Sequence, residues 1–399
     1  MTIRIFAISF IFACTSVAWF ILGTTVFTRT RESDSRLKGR VASLWGEPHQ
    51  QLAPRAFYCK AEGEKTQAVQ LPLTSSRLEA RLDLDHRRKG LLWYSTYRVA
   101  FSGEYGFEND TDTAREVTFS VPLPAAKAVY DDLVFLVNGQ VAPYTNRGGT
   151  VTATRALAPG ESLRLRFGYR SQGLDRWRYS FGKEVSRVRD FQLKVLLNFR
   201  DMDFEDNTLA PTEKRAVPPG MELVWRFTNM YSGSEIAISM PEKLQPGPVA
   251  AEISFFAPVS LLFFFFVMFL VTNLRGIDLH PMNYFFLAAA FFAFHLLLAY
   301  LADHVSIHTA FLLSSAVSIF LVVSYLRLVT GIRFAAVEAG LTQFVYLVLF
   351  SYAFFFRGYT GLAVTVGAVL TLFVTMQMTG RIRWSERFAA RPRPASGVS

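Results

Sequence analysis

Hydrophobic positions fall into two blocks, 5–27 and, with short polar breaks, 255–380, and the long polar stretch between them alternates. A bilayer crossing needs about 20 apolar residues in a helix. The first block therefore predicts one anchor. The second, broken by Arg275-Gly276-Ile277-Asp278, Ala302-Asp303-His304, Thr330-Gly331-Ile332-Arg333 and Arg357-Gly358-Tyr359, predicts helices near 253–274, 283–302, 307–329, 337–356 and 360–380. The breaks are short, so neighbouring helices are expected to run antiparallel. The first block is about 23 residues long, exceeds the 7–15 of a signal h-region and lacks a small-x-small cleavage site, so it reads as an uncleaved anchor.

Within the polar stretch, Tyr97, Val99 and Phe101 alternate with polar neighbours, the pattern of a half-buried strand. Similar strands are expected at 117–121, 133–137, 151–155, 162–169, 190–197, 222–228 and 235–240, separated by turn signals such as Glu108-Asn109-Asp110, Arg147-Gly148-Gly149 and Pro159-Gly160. Asn138-Gly139 marks a two-residue hairpin. Short strands at this spacing suggest sandwich-like packing. The run Pro159-Gly160-Glu161-Ser162-Leu163-Arg164-Leu165-Arg166-Phe167 is echoed by Pro219-Gly220-Met221-Glu222-Leu223-Val224-Trp225-Arg226-Phe227. Two organisations stay open: one domain, or two lobes at 41–180 and 186–245. The fold class is thus an α+β membrane protein: anchor 1–28, extracytoplasmic all-β domain 29–250, five-helix transmembrane bundle 251–384, and a basic cytoplasmic tail 385–399 expected to be disordered because it cannot build a core. A Pro-rich hinge, 240–248, leads into the bundle.

Composition sharpens this picture. The apolar fraction is 51%, and the 38 Phe cluster in the apolar blocks, where lipid-facing and helix-packing surfaces suit them. The net charge of +10 would fit a nucleic-acid partner, but many arginines flank the apolar segments, so it is read as topology and no nucleic-acid partner is expected. Arg4, Arg275, Arg327, Arg333 and Arg381, Arg383, Arg387, Arg391 and Arg393 alternate onto one side if the N-terminus is cytoplasmic, which puts the β-domain outside the inner membrane. Arg29 to Arg40 opposes this layout, but it begins a long translocated domain, where the rule weakens. The tail arginines would rest on anionic lipid. Cys14 and Cys59 should lie in different media, so no disulfide is expected. Lipid attachment at Cys14 is disfavoured by bulky Phe12 and by the apolar run that continues past it.

Candidate chemistry is sparse. Asp201-Met202-Asp203-Phe204-Glu205-Asp206 could hold Ca²⁺, but it lacks the Gly and spaced Glu of an EF-hand loop and reads as the wet face of a strand. Asp303-His304 with His308 has zinc-like spacing across a helix junction, where interfacial capping is favoured, with Asp303 placed to cap the next helix. His295 lies in mid-helix at membrane depth, a costly place for an ionisable group. Bonding to a neighbouring helix is the favoured reading, with Gln343 as partner. His280 precedes a Pro at a helix start. No Gly-x-Ser-x-Gly elbow and no Gly-x-x-x-x-Gly-Lys-Ser/Thr loop occur, and Cys59 has no base beside it. A non-enzymatic protein with no metal or cofactor is therefore expected.

Several short motifs resemble the CreD family of inner-membrane, cell-envelope integrity proteins. Leu279-His280-Pro281-Met282-Asn283-Tyr284 is similar to the family's His-Pro-x-Gln-Tyr helix start, and Leu301-Ala302-Asp303-His304-Val305 to its Leu-Ser-Glu-His-Ile turn. Met378-Thr379-Gly380-Arg381-Ile382-Arg383-Trp384 resembles its closing motif, and Arg87-Arg88-Lys89-Gly90-Leu91 ahead of Tyr97-Arg98-Val99 resembles one in its outer domain. Departures are Asn283 for Gln, Asp303 for Glu, and Arg-Gly where an acidic pair would precede the last helix. The resemblance covers the last 130 or so residues well and the β-domain loosely. It implies a link to envelope stress and integrity and supplies no active-site residue; separately, the β-domain is expected to bind or brace an envelope protein or polymer. The competing class is transport or lipid handling by the bundle, with His280, His295 and Gln343 along a path.

Overall fold

The computed structural model describes residues 2–62, 65–89, 92–182, 186–356 and 358–380. The chain forms two compact units: Met1–Arg31 with everything from Gln245 onward, and Glu32–Leu244. Arg357, the Gly90-Leu91 pair and the tail 385–399 lie outside the described residues.

The first helix, α1 (Thr2–Trp45), runs well past the expected anchor. The charged stretch that reads as the start of a domain is helical for three reasons. It has no proline, Glu32 and Arg36 pair one turn apart at 3.6 Å, and Leu37, Val41 and Trp45 recur every four residues. That apolar stripe packs on Leu92, Tyr94 and Leu174 within the second unit. Lys38 Nζ bonds Asp175 at 2.7 Å beside it. The helix stops at Gly46, whose φ of 106° suits a residue without Cβ.

The strands that follow are β1 (His49–Leu52), β2 (Arg55–Glu62), β3 (Lys65–Gln70), β4 (Leu73–Leu84), β5 (Arg87–Lys89), β6 (Leu92–Tyr94), β7 (Thr96–Glu108), β8 (Arg115–Pro122) and β9 (Asp131–Val137). They continue as β10 (Gln140–Val141), β11 (Thr145–Arg147), β12 (Thr150–Leu157), β13 (Ser162–Leu174), β14 (Arg176–Ser180), β15 (Ser186–Leu197), β16 (Glu213–Val217), β17 (Gly220–Ser232) and β18 (Ile236–Ser239). An eight-stranded sheet has the order β10-β9-β13-β7-β4-β15-β17-β16, a five-stranded sheet β11-β12-β8-β2-β3, and a three-stranded sheet β1-β14-β18.

The alternation in β7 places Tyr97, Val99, Phe101, Tyr105 and Phe107 inside. They meet Val117, Phe119 and Val121 of β8 in one core, with Phe167, Leu193 and Trp225 from the same large sheet. Burying a side chain of this kind contributes roughly 1.5–3 kcal/mol. The Asn138-Gly139 turn joins β9 to β10 with both residues at positive φ, 49° and 76°, as a type I′ hairpin needs. The echoed Pro-Gly segments lead into β13 and β17, both in the large sheet. β15 pairs in parallel with β4, so the segments 41–180 and 186–245 share one sheet and one core.

In the first unit, α2 (Pro246–Arg275), α3 (Pro281–Leu301), α4 (Ile307–Thr330), α5 (Phe334–Phe355) and α6 (Thr360–Thr379) follow in order. With α1, six helices among the described residues are long and apolar enough to cross a membrane. α2 starts earlier than its apolar run implies, because the latter part of the Pro-rich stretch is its first turn, where proline's missing N–H and fixed φ cost nothing. Gly247 there meets Thr30 of α1, and a Cβ in its place would lie 2.1 Å from the Thr30 hydroxyl. α5 contains two wide π turns, Phe334–Ala339 and Phe344–Leu349. Such turns free backbone carbonyls, and Ser260 of α2 donates its hydroxyl to that of Tyr346.

Candidate functional sites

Ion pairs mark the two ends of the helical unit. At one end Arg4 bonds Asp278 at 2.6 Å, and Arg275 bonds Glu338. Here the His280 Nδ1 accepts from the Met282 N–H at 3.2 Å, so this histidine caps α3. At the other end Arg29 holds Asp303 at 2.9 Å, reaches the Ala299 carbonyl at 3.3 Å and lies over the Tyr300 ring. Asp303 therefore does not cap α4; Ser306 does, accepting from the Thr309 N–H. His304 sits in the turn, with its N–H bonded to the Leu301 carbonyl, and His308 stacks on Phe355 at 5.0 Å. Among the described residues no three metal-ligating side chains converge.

His295 is buried, with Nδ1 at 2.9 Å from the Phe291 carbonyl one turn back. Trp19 and Phe294 meet its ring edge-on at 5.6 and 4.9 Å, and Nε2 has no partner among the described residues. The expected His295–Gln343 bond is absent. Gln343 instead donates to Ser318 at 2.8 Å, and Ser318 donates to the Ala290 carbonyl of α3 at 2.6 Å. A serine of α4 thus takes the amide that the sequence assigns to His295. A cavity of about 690 Å³ opens between α2, α5 and α6. Phe263, Val345 and Gly367 line it, Arg275 and Glu338 sit at its rim, and neither His295 nor Gln343 contributes.

In the β-unit the acidic run 201–206 is a loop, not a strand face. Asp203 caps the Phe204 N–H, and Glu205 is bound by Arg178, with Arg176 at 3.8 Å. Paired in this way, the carboxylates are not arranged to converge on a cation. Cys14 and Cys59 are free and lie in different units.

Sequence reasoning missed His49. It is buried, with Nδ1 at 3.1 Å from the Tyr97 hydroxyl and Nε2 at 3.2 Å from that of Ser171. Tyr97 donates its hydroxyl to the Arg176 carbonyl at 2.7 Å, and Ser171 donates its own to the Val129 carbonyl at 2.8 Å. Burial lowers its pKa to about 4, and Tyr130 and Tyr169 complete the surround. No local pattern announces this residue: it follows Gly46-Glu47-Pro48, a turn signal with no alternation.

Together these features define a helical membrane protein with a β-rich unit placed in the chain between its first and second spans. The family model described as inner membrane protein CreD matches residues 254–385. The resemblance carried by the His280-Pro281, Asp303-His304 and 378–384 motifs is therefore shown over residues 254–385. No curated protein matches the chain. Among solved structures, one named as a nutrient binding protein from Legionella pneumophila is similar at 10% identity and a TM-score of 0.34, over 54% of this chain and 76% of that one. An M1 zinc metallopeptidase from Deinococcus radiodurans is similar at 15% identity and a TM-score of 0.24, over 42% of each chain. This chain thus spans less than half of that peptidase.

Proposed function

We propose that the protein is a non-enzymatic inner-membrane protein that supports cell-envelope integrity, and that its β-unit lies outside the membrane and holds an envelope protein or polymer. One observation carries this reading: a β-unit with its own core is tethered at both ends, by α1 and α2, to a CreD-like helical unit. The side follows from charge. Arg4, Arg275, Arg327 and Arg333 fall at the helix ends that the positive-inside rule assigns to the cytoplasm. Sheet edges offer the contact surface. β16, at the edge of the large sheet, is exposed and carries Glu213, Lys214 and Arg215, side chains that blunt self-association while leaving a partner's strand room to dock.

A second reading, lipid handling, is favoured by the cavity between α2, α5 and α6, whose apolar walls and charged rim suit an acyl chain beneath a headgroup.

Photo-crosslinkers at Arg98, Asp112 and Asp203, all exposed in the β-unit, separate the two in intact cells. One recurring envelope component captured from these positions supports the first reading. No capture by a folded, exported protein transfers the function to the helices.

A further inference from the structure

Strand ends from both large sheets meet around a cavity of about 600 Å³ in the β-unit. β2 and β3 are antiparallel, so the start of one adjoins the end of the other, with Phe57 opposite Gln70. β4 and β15 are parallel and begin together, with Ser76 opposite Phe191. Arg55, Arg187 and Arg189 line the cavity from these ends, over a floor that includes buried Ser76 and a half-buried wall at Phe181.

No carboxylate lines it among the described residues. The nearest acid along β15, Asp190, is taken by Arg77 in a two-pronged pair at 2.6 and 2.7 Å. Arg187 is braced by neutral groups, the Asn229 amide oxygen at 2.9 Å and the Tyr231 ring at 5.8 Å, which fix its position without cancelling its charge. The side chains of Arg55 and Arg189 make no hydrogen bond or ion pair among the described residues, while their backbones pair with β8 and β17. Three like charges around one cavity repel one another, and an anion between them reverses the sign of that energy. Guanidinium forks match the paired oxygens of a phosphoryl group, where lysines would offer only point charges. The volume exceeds that of a lone phosphate and leaves space for a polar body attached to it.

We propose that this cavity binds a phosphorylated ligand, with Arg55, Arg187 and Arg189 holding the phosphoryl oxygens. The proposal rests on the reading of the β-unit as the partner-binding part, and it names the chemistry of that partner. The phosphoryl group can be carried by a lipid headgroup or by a soluble saccharide.

The test is calorimetric titration of pyrophosphate into the full chain, held in nanodiscs of zwitterionic lipid. The wild type is expected to give one saturable site. Arg55→Gln with Arg189→Gln should weaken it by about tenfold or more, because two charge-assisted contacts are lost. Arg98→Gln with Arg166→Gln, which removes the same charge from exposed positions elsewhere, should change affinity by no more than about twofold. Absence of saturable binding, or equal weakening by both double variants, overturns the site. Soluble short-chain phosphatidic acid and a hexose phosphate then compete with pyrophosphate, and the stronger competitor identifies the source. Pyrophosphate binding lost in the Arg55/Arg189 variant supports the site even where crosslinking in cells captures nothing, in which case the partner reading alone falls. Equal capture by that variant and the wild type, with pyrophosphate binding unchanged in the variant, leaves the partner reading standing and overturns this site.

Discussion

His49 makes the stability of the β-unit depend on pH. Its folded pKa of about 4 lies below the ordinary 6.5 because burial disfavours the charged ring. The unfolded chain therefore binds the proton more tightly. Stability is complete above the unfolded value, falls as the pH drops through 6.5, and levels off below the folded value. The full loss is about 3 kcal/mol, and acidification from about pH 7.5 to about pH 5 removes about 2 kcal/mol of it. Hydrogen exchange on the full chain in nanodiscs reads this directly. Amides of β7 and β13 that exchange through opening of the β-unit should lose about thirtyfold in protection over that interval, after correction for the intrinsic rate. His49→Gln keeps a hydrogen-bonding side chain but cannot titrate, and should lack the step. An equal step in the variant would refute the argument. So would protection that rises towards pH 5, which would mean that Tyr97 and Ser171 accept bonds from a charged ring.

Other outcomes follow from single contacts. Trp19 is fully buried against His295 and Phe292, so Trp19→Ala should cost about 3–5 kcal/mol and lower the melting temperature of the solubilised protein. Ser318→Ala leaves the Gln343 amide unpaired and should cost about 1–2 kcal/mol, with Ser318→Ala plus Gln343→Leu less than additive in the same melting assay. Gly139 sits at φ 76° with open space around it, so Gly139→Val should cost about 1–2 kcal/mol from backbone strain alone, seen as faster exchange in β9 and β10.

The spans are legible in the sequence because lipid asks only for apolar length, and β7 is legible because one of its faces is buried. The stretch before β7 is not. In β4, Leu78, Ala80 and Leu82 alternate with Arg77, Glu79 and Arg81, a charge-rich pattern that also suits an exposed helix, and no strand is expected there from the sequence. The second half of α1 is hidden in the same way. Its charges read as the start of the translocated domain, and only the spacing of Leu37, Val41 and Trp45 signals a buried stripe. Partners across the chain lie beyond local pattern altogether. Arg29 with Asp303, Gln343 with Ser318, and the meeting of Arg55 with Arg187 and Arg189 depend on register and helix rotation, which periodicity does not specify.

Thiol labelling in intact cells decides which side of the membrane the β-unit occupies. With Cys14 and Cys59 replaced by Ser, single cysteines go at Asp112 and Asp203 in the β-unit and at Asp278 between α2 and α3, all exposed. A membrane-impermeant maleimide is predicted to label the positions of Asp112 and Asp203 in intact cells, and that of Asp278 only after the membrane is opened. Labelling of Asp278 from outside, with the β-unit protected, would contradict the proposed orientation and the function built on it.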